Sequence, residues 1–164
     1  MSKRRLAAFG LSISGLGAML RRLPCWDGVV ILSYHRIGDA SESDLYRTLW
    51  GATPEELDAQ LRRIKRWSEI IAPQDFNQAL LATPGRRVMV TFDDGYRDLY
   101  ELALPVLEAN AVRAAMFLCS GFIDGKATAW WDEIAWMLRH SKTAELASGP
   151  WSSHPRLLLS LIHI

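Results

Sequence analysis

An α/β fold with parallel strands is the class this sequence predicts, and two observations carry the prediction. The apolar, β-branched-rich run Val88-Met89-Val90-Thr91-Phe92 has strand length and stops at Asp93-Asp94-Gly95. Beyond it, Leu99, Leu102, Val106 and Leu107 recur at helical spacing behind Asp98, a candidate N-cap, and Ala114 to Leu118 reads as another buried strand. A strand, a helix and a strand in that order make a parallel crossover unit. Such a unit sets the end of its first strand at the C-terminal edge of the sheet, where α/β folds place their chemistry.

The acidic pair therefore stands where a site belongs. In a continuing strand Asp93 and Asp94 would point to opposite faces, so both serve one site only if the chain leaves the strand there. Gly95 makes that exit easy because it tolerates positive φ. Adjacent carboxylates repel, and a divalent cation or a shared proton is the usual relief. With a metal, one carboxylate binds and the other acts as base. The competing reading is structural: Asp93 and Asp94 end a strand and cap the next helix.

The other elements follow in chain order. The 164 residues fit one domain, and balanced charge (+1) with 49% hydrophobic residues allows a real core. Nothing in the charge pattern marks a nucleic-acid footprint. Cys25 and Cys119 make no disulfide framework and fit a reducing, cytoplasmic compartment, as core or near-core thiols. Residues 1–27 form an N-terminal segment in which Lys3, Arg4 and Arg5 precede the apolar stretch Leu6 to Leu20, broken by Gly10, Gly15 and Gly17. Two readings stand for it, a secretory signal or a helix with basic ends lying on the domain or on a membrane surface. The second is preferred, because no small-x-small cleavage site is evident and Arg21 and Arg22 follow at once.

Gly28 to His35 is the first strand by composition, and it ends in a histidine before the loop Arg36 to Asp44. Thr53-Pro54-Glu55-Glu56 has the signature of a helix start, with Thr53 as N-cap, and the helix buries Leu57, Leu61, Ile64 and Trp67. Arg62, Arg63, Lys65 and Arg66 give it a solvated basic face. Ile70 to Ala72 reads as a short strand, Asp75 to Leu81 as a short helix and Pro84-Gly85 as the turn into the acidic strand. Trp130 opens a helix that runs to about Arg139. Trp130 and Trp131 either stack on sugar rings or, the preferred reading, pack that helix on the barrel expected of the fold. Asp132 and Glu133 fall in its first turn, where carboxylates favour the helix dipole.

Thr91-Phe92-Asp93-Asp94-Gly95-Tyr96, after an apolar strand and before Ala115-Met116-Phe117-Leu118, closely resembles the first motif of the polysaccharide deacetylases. These are the NodB homology domains of carbohydrate esterase family four, and the resemblance spans about Val29 to Ile134. It implies an incomplete (β/α) barrel over residues 28–147 and metal-dependent hydrolysis of the N-acetyl amide of an acetylated sugar or polysaccharide. Carried onto this chain, the motif makes Asp93 the catalytic base and Asp94 a ligand of a divalent metal, zinc by expectation. Some deacetylases resemble circular permutations in which the strand bearing the last motif comes first, and on that mapping His35 is the general acid that protonates the leaving amine.

The chain also departs from the family. A second motif, His-Ser/Thr-x-x-His, should complete the metal site. His140-Ser141-Lys142-Thr143 starts it, but Ala144 stands where the second histidine belongs, and Pro150 occupies the first position ahead of Ser153-His154. A catalytic metal takes about three protein ligands plus water, and one is evident here. Residues 148–164 end in a mostly Leu and Ile run with no expected partner, so the reading is the N-terminal part of a longer enzyme, cut or frame-shifted near Ser148 and inactive as it stands. Two alternatives come from other classes. One is a non-catalytic carbohydrate-binding or remnant protein, favoured by seven tryptophans. The other is a phospho-receiver-like acidic pocket, which requires a Lys on a later strand.

Overall fold

A computed structural model describes residues 27–41, 43–82, 84–142, 145–147 and 156–158. The expectations for the first 26 residues, including Cys25 and membrane-surface contact, lie outside them. In chain order the elements are β1 (Gly28–Tyr34), β2 (Arg36–Ile37), β3 (Trp50–Ala52), α1 (Pro54–Ile64), β4 (Glu69–Ile70), α2 (Phe76–Leu81) and β5 (Arg86–Asp94). Then follow α3 (Leu104–Ala109), β6 (Ala115–Leu118), α4 (Ser120–Ile123), α5 (Trp130–His140) and the strands β7 (Glu145–Ala147) and β8 (Arg156–Leu158). No helix among the described residues is long and apolar enough to cross a membrane.

The parallel α/β class holds, and the acidic strand is the centre of the sheet. All seven residues of β1 pair in parallel along one edge of β5, from Gly28 opposite Arg86 to Tyr34 opposite Phe92. The other edge of β5 is shared: β4 takes Arg87 and Val88, and β6 takes Thr91 to Asp94. Five consecutive residues of β5, Val88 to Phe92, are buried, as a strand covered on both faces requires. Among the described residues this sheet is open at β1 and β6 and closes no barrel. The expected burial of Ala114 to Leu118 fails for that reason. With one neighbour only, Met116, Phe117 and Leu118 are 46%, 60% and 56% exposed.

The crossover segment also differs from its prediction. Asp98 makes no side-chain cap. Pro105 has no N–H to return to the carbonyl four residues back, and the turn Leu99–Ala103 widens until Leu104 N–H bonds the Leu99 carbonyl. The extra residue rotates the buried stripe, so Leu99, Ala103 and Leu107 face the core while Leu102 is partly exposed.

Helix α1 forms as its start signature predicts. Thr53 Oγ1 accepts Glu56 N–H at 3.2 Å and Glu56 Oε2 accepts Thr53 N–H at 2.9 Å, a closed capping box. Leu57, Leu61 and Ile64 are buried as expected, but Trp67 falls beyond the helix end and is exposed. The main core lies between α1, α3 and one face of the sheet, with Ile37, Leu57, Leu61, Val90, Phe92 and Leu99 fully enclosed. Tyr34 and Phe92, partners across β1 and β5, stack there with centroids 5.5 Å apart. The apolar tail does find a partner over three residues: Arg156–Leu158 pairs antiparallel with Glu145–Ala147.

Candidate active site

Tyr34 and Phe92 face the core, so their neighbours Ser33 and Asp93 face the other way, as does His35 one step past the strand. On that face Ser33 Oγ donates to Asp93 Oδ2 at 2.7 Å, and His35 Nε2 lies 3.8 Å from the same oxygen. That distance is too long for a hydrogen bond and short enough for both groups to reach one bound substrate. The His35 and Asp93 side chains are 41% and 32% exposed, so the pair opens to solvent.

Asp94 leaves the strand by a tight reversal. Its φ is 70°, and Gly95 N–H bonds the Asp93 carbonyl at 2.9 Å, so Asp93 to Gly95 form a three-residue γ-turn. This conformation is strained for a residue with a side chain, and it breaks the alternation that would have sent Asp94 to the opposite face. Gly95 follows at φ 77°, and a Cβ there would stand 2.5 Å from Leu118 Cδ2 on β6. Glycine suits that place, since a side chain there would be strained at this φ and would require the Leu118 side chain to move.

Around the turn runs a polar network that sequence reasoning missed. Asp132, expected merely to favour a helix dipole, is buried; it accepts Tyr46 N–H at 2.9 Å and Tyr96 O–H at 2.8 Å. The Tyr96 oxygen accepts Trp131 Nε1–H at 2.7 Å. Burial, and then the bond to Asp132, push the Tyr96 phenol well above its ordinary range, with the Asp94 charge adding in the same direction. Asp98 pairs with Arg36 instead of capping its helix. Trp131 thus packs, as preferred, also meeting Phe122 edge-on at 6.1 Å, whereas Trp130 is 63% exposed. The only sequence signal for this network was Tyr96 and Asp98, two to five positions beyond the acidic pair; Asp132, Trp131, Tyr46 and Arg36 lie tens of residues away.

The structure brings His35 and Asp93 together and sets Asp94 beside them in the chain. Among the described residues it assembles no metal shell. No group of three or more His, Cys, Asp or Glu side chains that could hold a metal ion converges among the described residues. His140 stacks on Trp136 and lies 3.6 Å from Asp44, while His154 and His163 lie outside the described residues. One carboxylate does not fit a catalytic cation, which takes about three protein ligands. Strand β6 carries no lysine, which removes the feature a phospho-receiver requires.

The profile of the polysaccharide deacetylase family matches residues 81–156, the stretch that holds β5, the γ-turn and β6. Over that stretch the chain is similar to the polysaccharide deacetylase family. A poly-β-1,6-N-acetyl-D-glucosamine N-deacetylase of Escherichia coli K12 is 26% identical over 144 residues, covering 78% of this chain. This chain spans about a fifth, 21%, of the length of that relative. Among solved structures, IcaB from Ammonifex degensii is 30% identical with a TM-score of 0.48, over 57% of this chain and 39% of its own. The Streptococcus pyogenes deacetylase PplD, in complex with acetate, is 24% identical with a TM-score of 0.48, over 62% of this chain and 46% of its own. Within the matched stretch lies the acidic motif, and His35, which approaches it, precedes that stretch.

Proposed function

We propose that this segment supplies the acid–base pair of an enzyme that hydrolyses the N-acetyl amide of an acetylated glycan, releasing acetate and a free amine. The observation that carries the reading is the approach of His35 Nε2 to Asp93 Oδ2 at 3.8 Å on the outward face of a deacetylase-like sheet. Asp93 takes a proton from the attacking water, and the water oxygen bonds to the acetyl carbon. As the C–N bond breaks, His35 gives a proton to the nitrogen. Asp94 is the candidate ligand of a divalent cation, zinc by expectation. The described donors do not complete a shell, so no step is drawn through a cation, and the chain by itself is expected to be inactive. The open sheet is read as part of a (β/α) barrel. The substrate class is an N-acetylhexosamine polymer, in line with the name of the Escherichia coli relative.

The test measures acetate release from a β-1,6-linked N-acetylglucosamine oligomer by two proteins supplied with zinc. One is this chain; the other is the Escherichia coli relative with residues 28–142 of this chain in place of its matching segment. The isolated chain is expected to release no acetate above background and the chimera to turn over. In the chimera, His35→Ala and Asp93→Asn are each expected to lower kcat by about 10²-fold or more. Near-normal turnover in either variant overturns the role of that residue, and activity in the isolated chain overturns the incomplete-site reading.

A further inference from the structure

His35 and Asp93 come from different strands, and nothing in either strand by itself keeps their side chains within reach. The β1–β5 register brings the two positions side by side, and the chain then turns away at once, into β2 after His35 and into the γ-turn after Asp93, so the spacing of the side chains also depends on what joins those two segments. The joint is Arg36. Its Nε donates to Asp98 Oδ2 at 2.7 Å, and the other oxygen of that carboxylate accepts Ile37 N–H at 3.3 Å. The guanidinium lies between two rings, with Cζ 3.8 Å from the Trp50 centroid and 4.4 Å from that of Tyr96. Trp50 is the strand partner of Arg36 on β3, whereas Tyr96 and Asp98 belong to the segment that leaves the γ-turn. One planar cation therefore holds the residue after His35 against the residues just after Asp93 and Asp94.

This arrangement is unfavourable as plain structure. The Arg36 and Asp98 side chains are only 15% and 11% exposed, and Arg36 Nη1 is buried with no hydrogen-bond partner among the described residues. An enclosed ion pair commonly contributes less stability than an apolar pair of the same volume, and an unpartnered buried donor adds to the cost. What the pair supplies is placement. The Nε–Oδ2 bond fixes direction, the rings fix the plane of the cation, and the far side of Tyr96 is itself held by Asp132 and Trp131.

We propose that Arg36, acting with Asp98, is a positioning residue that locks the His35 loop to the Asp93–Asp94 turn and so fixes the spacing of the acid–base pair. The proposal rests on the amide-hydrolase reading for its catalytic consequence, but its geometry is tested without turnover. The variant of choice is Arg36→Met/Asp98→Leu, which removes both charges together and avoids stranding one in the core. The full chain carrying it is expected to unfold at a denaturant midpoint no lower than wild type. Amide exchange should nevertheless rise about tenfold or more at Ile37 and at Gly95, whose N–H closes the γ-turn, and the His35 ring resonances should shift. Val88 to Val90, in the centre of β5, should keep their protection. Faster exchange at Ile37 only, with Gly95 and the His35 ring unchanged, overturns the lock.

In the chimera described above, the same double variant is expected to lower kcat about tenfold or more with KM within about twofold. Arg36→Lys, which keeps the charge and loses the planar fork, should not rescue it. A full kcat with the loop loosened overturns the positioning role. If the chimera proves indifferent to His35→Ala and Asp93→Asn, the hydrolase reading fails separately, and the exchange data decide the lock independently of it.

Discussion

Replacing Asp132 by Ala tests how much of the site rests on a carboxylate that lies outside the motif. Asp132 accepts two hydrogen bonds, from Tyr46 N–H at 2.9 Å and Tyr96 O–H at 2.8 Å, and it is 7% exposed. Hydrogen bonds to a charged group contribute roughly 1.5–3 kcal/mol each, and its place in the first turn of α5 adds about 0.3–1 kcal/mol. Against this stands the desolvation of the carboxylate, of the order of several kcal/mol, which Ala removes. The truncation also strands the buried donors, so a net loss of about 3 kcal/mol is expected, a large share of a domain stability of roughly 5–15 kcal/mol. Asp132→Asn keeps one carbonyl oxygen for Tyr46 but cannot accept from Tyr96 with its NH2, and about half the loss is expected. Urea unfolding followed by tryptophan fluorescence reads both. A second observable is the Tyr96 phenol, whose pKa should fall in Asp132→Asn while remaining above its ordinary value, because burial, the larger cause, stays. A loss under about 1 kcal/mol in Asp132→Ala, or an unmoved Tyr96 titration, would refute the reasoning.

Three further outcomes follow from the geometry. Tyr96 and Tyr34 both titrate above the unfolded value of 10.0, so folding favours the neutral phenol; stability is full below about pH 10 and is lost as pH rises toward the folded values. Tyr96→Phe should flatten that alkaline decline and leave the part due to Tyr34, as a series of unfolding curves from pH 8 to 11 would record. Gly95→Ala places a Cβ at φ 77° and 2.5 Å from Leu118 Cδ2. It should cost about 1–2 kcal/mol in backbone strain, with Leu118→Ala recovering only the steric remainder, read from denaturant midpoints of the single and double variants. Thr53→Ala opens the capping box and should cost about 1 kcal/mol, whereas Thr53→Ser should restore it; equal midpoints for all three proteins would contradict the cap.

Local chemistry made much of this protein legible from its residues. Val88 to Phe92 had to be a buried strand because an apolar β-branched run of that length has few other stable forms, and the capping box at Thr53 is complete within four residues. The Asp93-Asp94-Gly95 string signalled the exit from the strand, since Gly95 takes the positive φ it permits, although the γ-turn itself is centred on Asp94 at φ 70°. Features that depend on one short window are readable in that window.

Other features required the sheet. Whether Ala115–Leu118 is buried depends on how many strands flank it, which its own residues do not encode, and it is an edge here. Asp98 reads locally as a helix cap, and only the parallel pairing of β1 with β5, which brings segments 62 residues apart together, made it the partner of Arg36. The same pairing put Ser33 on Asp93 and His35 beside it. Asp132 reads in sequence as one more acidic residue at a helix start; it becomes the buried acceptor for Tyr46 and Tyr96 because tertiary packing removes the water that would otherwise hydrate it. The sequence by itself determined where the acidic pair ends its strand and that the chain leaves the strand there. The tertiary structure decided which side chains face one another, because spacing across a sheet is set by strand register and packing, and neither is a property of a single segment.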